Sequence, residues 1–212
     1  MTYFSIEGVI GVGKTTLARL LRTNFQAELL LEVFEENPFL TMFYEDRARY
    51  AFQTQIFFLL SRYHQQKENV PEILNAGQHL IADYTFAKDA LFARINLQGD
   101  ELEMYDRVHD ALAEKIPLPE LIVYLRADTD VLMERISMRD RPYERNMDPA
   151  YIATVNDAYD DFFDDFYRGV PVLVVDTNDL NIVGNEADLA QVEARIRQSL
   201  AETPRQRELP LK

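Results

Sequence analysis

The chain has 212 residues, 47% of them hydrophobic, no cysteine and a net charge of −14. Without cysteine there is no disulfide framework, thiol nucleophile or Cys-ligated zinc site, and the acidity argues against a polyanion such as DNA or RNA as a partner of the whole surface. No apolar run reaches the ~18 residues of a membrane-spanning helix, and the first residues, MTYFSIEG, lack the basic and apolar stretches of a targeting segment, so a cytoplasmic protein is expected.

In chain order, five short apolar runs read as buried strands: Thr2–Ile6, Glu28–Val33, His79–Asp83, Leu121–Leu125 and Val170–Asp176. Helical periodicity fills the stretches between them, at Thr15–Phe25, Glu45–Gln66, Glu101–Ile116, Val131–Arg139 and Ala150–Tyr167. Strands alternating with helices predict an α/β fold, a five-stranded parallel sheet flanked by helices. No Pro/Gly/Ser linker divides the chain, so residues 1–202 are expected to form one domain, with 203–212 as a loose tail.

The run Gly8-Val9-Ile10-Gly11-Val12-Gly13-Lys14-Thr15-Thr16 fits G-x-x-x-x-G-K-[ST], with a strand before it and a helix after it. The glycines let the backbone curl into an anion nest, and the helix N-terminus adds its positive end. Lys14 is placed to reach the β- and γ-phosphates, and Thr15 to put its hydroxyl on Mg²⁺. A chance glycine turn is the alternative, and both flanks speak against it. Switch GTPases, motor ATPases and small-molecule kinases share this loop. The Asn-Lys-x-Asp motif of a GTPase is absent.

Further along, single residues stand out. Gln55 and Arg62 are seven apart and so share one helix face, beside the apolar run Phe57–Leu60. That face is either wet or aimed into a pocket. Tyr44, about three turns earlier, joins it if the helix extends back that far. Asp83 closes the apolar run LIAD, as a Walker-B-like carboxylate does, and would hold Mg²⁺ beside Thr15. After the fourth strand, Asp128 or Thr129 can cap a helix carrying Arg135 and Arg139 on one face, followed by Arg141. These arginines either close over a triphosphate as a lid or pair with Glu134, Asp140 and Glu144. His64, His79 and His109 lack metal spacing. Phe39, Phe43, Phe86 and Phe92 can stack on a base or fill the core, and Asp160–Asp165 reads as a solvated helix face.

EGVIGVGKTT, the run from Leu29 to Gln66, ADYTFAKD and ERISMRDRPYER occur in an order that resembles the deoxynucleoside kinase family, its short bacterial branch above all. The resemblance spans about Thr2 to Tyr167. It implies a P-loop kinase fold with an Arg-rich lid, transfer of the ATP γ-phosphate to a deoxynucleoside 5′-hydroxyl, Mg²⁺, and a homodimer. Glu32, at the carboxyl end of the second strand, falls at the general base, with Glu35 and Glu36 near enough for a shifted register. Gln55 matches the residue that hydrogen-bonds the base, Arg62 a second reader, and Tyr44 and Glu144 the contacts to the sugar 3′-hydroxyl. Lys14, Arg139 and Arg141 are the expected catalytic cations, and Arg135 and Arg139 are expected on the triphosphate. Asp89 matches an aspartate of the purine- and cytosine-accepting members, which favours a base with an exocyclic amine over thymine; alone it is a charge at a helix N-terminus. One departure stands out: the family follows its acidic residue with Arg and Ser, where this chain has Tyr84 and Thr85 after Asp83. Arg94 is a candidate replacement for that arginine. The rival readings are a nucleoside-monophosphate kinase, which needs a basic patch for the acceptor phosphate, and a non-catalytic nucleotide-dependent regulator.

Overall fold

The computed structural model describes residues 1–167 and 169–203. The element order is β1 Tyr3–Gly8, α1 Lys14–Phe25, β2 Ala27–Leu30, α2 Leu40–Glu45, α3 Arg47–Asn75, β3 His79–Ala82, α4 Lys88–Asn96, α5 Gly99–Ala113, β4 Leu121–Arg126, α6 Thr129–Arg139, α7 Pro149–Asp161, β5 Val172–Asp176 and α8 Glu186–Glu202. All strand pairs are parallel, in the order β2-β3-β1-β4-β5. Helices cover the sheet, as the sequence predicts. The order reverses between β1 and β4, and in open α/β sheets a ligand cleft forms at the carboxyl ends of the strands beside such a point. Among the described residues no helix is long and apolar enough to cross a membrane. The tail from residue 204 onward lies outside the described residues.

Several boundaries differ from the sequence reading, for identifiable reasons. β1 continues past Ile6 through Glu7 and Gly8, and all six of its residues are buried. A buried carboxylate needs donors. Glu7 takes them from the backbone N–H of Gly8 (3.2 Å), the backbone N–H (2.5 Å) and hydroxyl (2.9 Å) of Thr85, and the Tyr159 hydroxyl (3.2 Å). β2 stops at Leu30 rather than Val33. It is an edge strand whose only partner, β3, ends at Ala82 opposite Leu30, so no ladder remains beyond that point.

The expected helix Glu45–Gln66 is essentially α3, which starts at Arg47 and runs on to Asn75, and a separate short helix, α2, precedes it. They are divided at Asp46 (φ −144°, ψ 82°), whose side chain accepts from the Arg49 backbone N–H and caps α3. Tyr44 therefore lies on α2, not on the helix of Gln55. α7 ends at Asp161 in a π-turn over Phe162–Phe166 instead of running on to Tyr167. Asp128 holds the cap position of α6, but its side chain makes no capping bond. Asp160 and Asp164 are not a purely solvated face, because both accept from Arg126, and Asp160 also accepts from Tyr124. α4 starts where the reading of Asp89 as a charge at a helix N-terminus puts a helix, and α8 was not anticipated.

Candidate active site

The loop between β1 and α1 turns on Gly8, Gly11 and Gly13, with φ of +144°, +91° and +105°. L side chains avoid these values. Lys14, the first residue of α1, folds back across the loop and donates to the carbonyl oxygens of Gly8 (2.7 Å) and Val9 (3.1 Å). Burial lowers its ammonium to a pKa of about 8, with the nearby Lys88 adding to the effect. The Thr15 hydroxyl donates to Asp83 Oδ2, and the Glu32 backbone N–H donates to Asp83 Oδ1 (2.7 Å). One carboxylate thus ties the phosphate loop to the loop that carries Glu32.

Glu32 lies two residues past β2, against a buried pair of cations. Its Oε1 accepts from both Arg62 Nε (2.8 Å) and Nη2, and its Oε2 accepts from Lys88 Nζ (2.7 Å). Arg62 also donates to Asp89 Oδ1. Two carboxylates and two cations balance in charge, which permits their burial. Burial alone would raise the Glu32 carboxyl, but Arg62 and Lys88 outweigh it and hold the group well below the usual carboxylate range. Glu32 is therefore ionised at any physiological pH. Of the alternatives in this segment, Glu36 is exposed at the surface, whereas Glu32 lines a cleft.

A cleft opens over this cluster. Tyr44 of α2, Gln55 and Arg62 of α3, and Glu144 line it together with Glu32 and Asp83. The Gln55–Arg62 face is therefore a pocket wall rather than a wet face; both side chains are buried. Two residues of the wall, Thr54 and Gln55, and Asp89 behind Arg62 carry polar groups with spare hydrogen-bonding capacity. Gln55 makes no hydrogen bond to the described residues, and the buried Thr54 Oγ1 and Asp89 Oδ2 have no partner among them. Phe43 and Phe92 line the cleft, as do Phe34 and Phe58. Phe39 does not, and Phe86 packs away from it on His109 (5.0 Å, 15°).

A second, more open cavity lies on the other side of the phosphate loop. It is bordered by Gly13, Thr16, Arg135 and the segment 180–183. The two cavities meet at Gly11, Lys14, Thr15, Arg139 and Arg141. The arginines after β4 are engaged with protein groups. Arg135 donates to the Thr177 hydroxyl (2.9 Å) and carbonyl (2.6 Å). Arg139 and Arg141 both pair with the buried Glu144, at 2.7 and 3.6 Å. The ion-pair reading thus holds for Arg139 and Arg141 with Glu144 but not for Arg135, and Asp140 pairs with Arg145 instead; all three arginines border the cavities beside the loop.

The comparisons with known proteins decide among phosphate-loop proteins. A family model described as deoxynucleoside kinase matches residues 4–201. The chain belongs to the deoxynucleoside kinase family. It is 33% identical over 199 residues to a deoxyguanosine kinase of Bacillus subtilis (strain 168), covering 92% of this chain and 96% of that protein. It is 31% identical over 177 residues to a deoxyadenosine kinase of Dictyostelium discoideum, covering 81% and 71%. The structure of deoxyadenosine kinase from M. mycoides with bound dATP superposes with a TM-score of 0.80 over 93% of this chain and 100% of that one, at 23% identity, and shares the fold. The protein is a kinase, a phosphotransferase acting on nucleosides.

For a deoxynucleoside kinase, the departure at Tyr84 now has a structural account. Tyr84 is fully buried and donates to Gln65 Oε1, and Gln65 Nε2 in turn donates to the Leu31 carbonyl (2.9 Å), beside Glu32. Tyr84 thus pins the loop that carries Glu32. Arg94 does not replace the missing arginine, because it is exposed on α4 and lines neither cavity. The residues that sequence reasoning missed are Glu7, Lys88, Thr54, Tyr143 and Tyr159. Lys88 left a trace in the sequence: it opens α4, where the helix dipole disfavours a cation unless a carboxylate meets it.

Proposed function

We propose that this kinase transfers the terminal phosphoryl group of Mg·ATP to the 5′-hydroxyl of a deoxynucleoside whose base carries an exocyclic amine: deoxyguanosine, deoxyadenosine or deoxycytidine before thymidine. The observation that carries the reading is the position of Glu32. An ionised, half-buried carboxylate lines the acceptor cleft, and its backbone is tied to the carboxylate that touches the phosphate loop. Such a group accepts the proton of an attacking hydroxyl. The neutral Glu32–Arg62–Asp89–Lys88 cluster suits an uncharged acceptor. A nucleoside monophosphate would need free cations, and these two are already paired.

In this reading the loop Gly8–Thr16 cradles the triphosphate, with Lys14 on its β- and γ-oxygens. Gln55 and Asp89 meet the base edge. Asp89 Oδ2, behind Arg62, has no donor among the described residues; a base amine reaching it would supply one, and the carbonyl of thymine would not. Tyr44 and Glu144 lie where the sugar would sit, and Arg139 and Arg141 turn from Glu144 to the phosphates as the site closes. Thr15 and Asp83 fit a hard cation: they supply a hydroxyl and a carboxylate already in contact, and Mg²⁺ takes one or two protein oxygens besides phosphate and water. Once bound, the ion would neutralise charge on the β- and γ-phosphates. The deoxyguanosine and deoxyadenosine kinases among the relatives support an amine-bearing base.

A phosphate-transfer assay with Mg·ATP and deoxyadenosine, deoxyguanosine, deoxycytidine, thymidine and dTMP as separate acceptors tests the proposal. At least one amine-bearing nucleoside is expected to turn over at least tenfold faster than thymidine. Turnover of dTMP alone would make the protein a monophosphate kinase, and no turnover despite tight ATP binding would make it a regulator.

Lys14 makes a second prediction. Its pKa is lowered to about 8 in the free protein, and bound phosphates would raise it again. The protonated form, which attracts phosphate, is lost as pH climbs past 8. Affinity for ATP is expected to fall by up to about tenfold per pH unit above 8. Binding near pH 8.5 is then expected to take up a proton, which calorimetry in buffers of different ionisation enthalpy measures. An affinity flat from pH 7 to 10 would contradict this.

A further inference from the structure

Lys88 is used by none of the roles assigned so far, yet it sits at the reacting end of the acceptor cleft. Its side chain is 5% exposed. Its Nζ is 2.7 Å from Glu32 Oε2 and 5.9 Å from the centroid of the Tyr84 ring. It lines the same cleft as Lys14 and Thr15, and it is close enough to Lys14 to bear on that group's protonation. The turn before it is rigidly set, because Thr85 is bound through its backbone and its hydroxyl to the buried Glu7. A lysine at the first position of a helix opposes the helix dipole. Glu32 is the group that compensates for it.

We infer that Lys88 is the cation that orients Glu32 toward the acceptor hydroxyl and then stabilises the transferring phosphoryl group. This inference rests on the reading of Glu32 as the base. In the step, the 5′-hydroxyl proton passes to a Glu32 oxygen and the 5′-oxygen forms a bond to the γ-phosphorus. The bond from that phosphorus to the β,γ-bridging oxygen breaks, and its electron pair leaves with ADP. Lys88 stays protonated throughout. As Glu32 takes the proton, the pair loses its negative member, and the ammonium is left with a charge that the phosphoryl oxygens can meet. The cation thus has one partner before the transfer and another during it. Arg62 is divided between Glu32 and Asp89 and keeps a carboxylate partner when Glu32 is neutralised, whereas Lys88 pairs with Glu32 alone among the described residues.

The test compares the wild type with Lys88→Met, Lys88→Arg, Glu32→Gln and the Glu32→Gln/Lys88→Met double variant, using Mg·ATP and the best acceptor of the panel. Lys88→Met is expected to lower kcat by roughly 10²-fold and to leave the KM for ATP within about twofold. Lys88→Arg, which keeps the charge, is expected to stay within about tenfold of the wild type. The double variant is expected to be no worse than Glu32→Gln alone within about threefold, because residues that act as one unit are not additive. A merely structural lysine would give multiplied losses in the double variant. That result, a Lys88→Met kcat within threefold of the wild type, or a Lys88→Arg loss as deep as that of Lys88→Met would each overturn the inference. Where the Met variant melts too low to assay, a Lys88→Arg kcat more than about tenfold below the wild type overturns the inference by itself. A wild type with no deoxynucleoside turnover would overturn the proposed function itself, and this inference with it; a fully active wild type beside an unaffected Lys88→Met overturns the inference alone.

Discussion

Glu32→Gln is expected to lower kcat by about 10³-fold, within the range for loss of a positioned general base. Glutamine keeps the shape and one acceptor oxygen, so Arg62 retains a partner. It cannot take a proton from the acceptor, and it leaves the buried cluster with Arg62 and Lys88 against Asp89 alone. Breaking a buried pair from one side costs about 3–5 kcal/mol, and the retained amide oxygen places the cost at the low end. At roughly 2–4 °C per kcal/mol for a chain of this size, the melting temperature is expected to fall by roughly 10 °C. ATP affinity should survive, because Lys14 and the glycine loop are untouched. The measurements are steady-state turnover below the new melting temperature and ATP binding by calorimetry. A variant that turns over within tenfold of the wild type would remove Glu32 from the chemistry. A variant that loses ATP binding would mean that it holds the loop instead.

Gly8→Ala is expected to be the most damaging single methyl group in the protein. At φ +144° an L side chain is strained, at a cost of roughly 1–3 kcal/mol. The new Cβ would also collide with the Leu125 carbonyl oxygen and lie 2.9 Å from Val12 Cγ1. Neither neighbour can retreat freely: Leu125 is the register partner of Gly8 in the sheet, and Val12 is buried in the core. Overpacking of this kind adds roughly 1–3 kcal/mol. Melting is expected to drop by roughly 10 °C or more, and ATP affinity by more than 10²-fold, since the loop must leave its cradle shape to make room. Gly13→Ala is the control. Its φ is +105°, but a Cβ there meets nothing within 4 Å. Only the strain applies, so the loss of stability should be about half as large. Equal melting temperatures for the two variants would show that the contact with β4 does not matter.

Much of the site could be read from sequence because its parts are local. The phosphate loop is nine consecutive residues whose glycine spacing encodes its own backbone. Gln55 and Arg62 share a face through helical geometry alone. Asp83 was recognisable as the polar end of an apolar run. The resemblance added Glu32, Tyr44, Asp89 and Glu144, and the structure brings Glu32, Tyr44 and Glu144 to one cleft, with Asp89 behind Arg62. What escaped were groups whose meaning depends on distant partners. Glu7 reads as one polar residue in a strand until Thr85 and Tyr159 close on it. Tyr84 reads as a lost arginine until its hydroxyl is found on Gln65.

By itself, the sequence determined the alternation of strands and helices, the phosphate loop and the order of the motifs, because each depends on residues within a few positions of one another. Tertiary structure alone decided where the charges go. Glu32 meets Lys88 across 56 positions and Arg62 across 30, and the four-member cluster exists only because the loop after β2, α3 and the start of α4 converge at one end of the sheet. A buried charge is tolerated only when it is matched within a few ångströms. Such a match is a property of positions in space, and no window along the chain contains it.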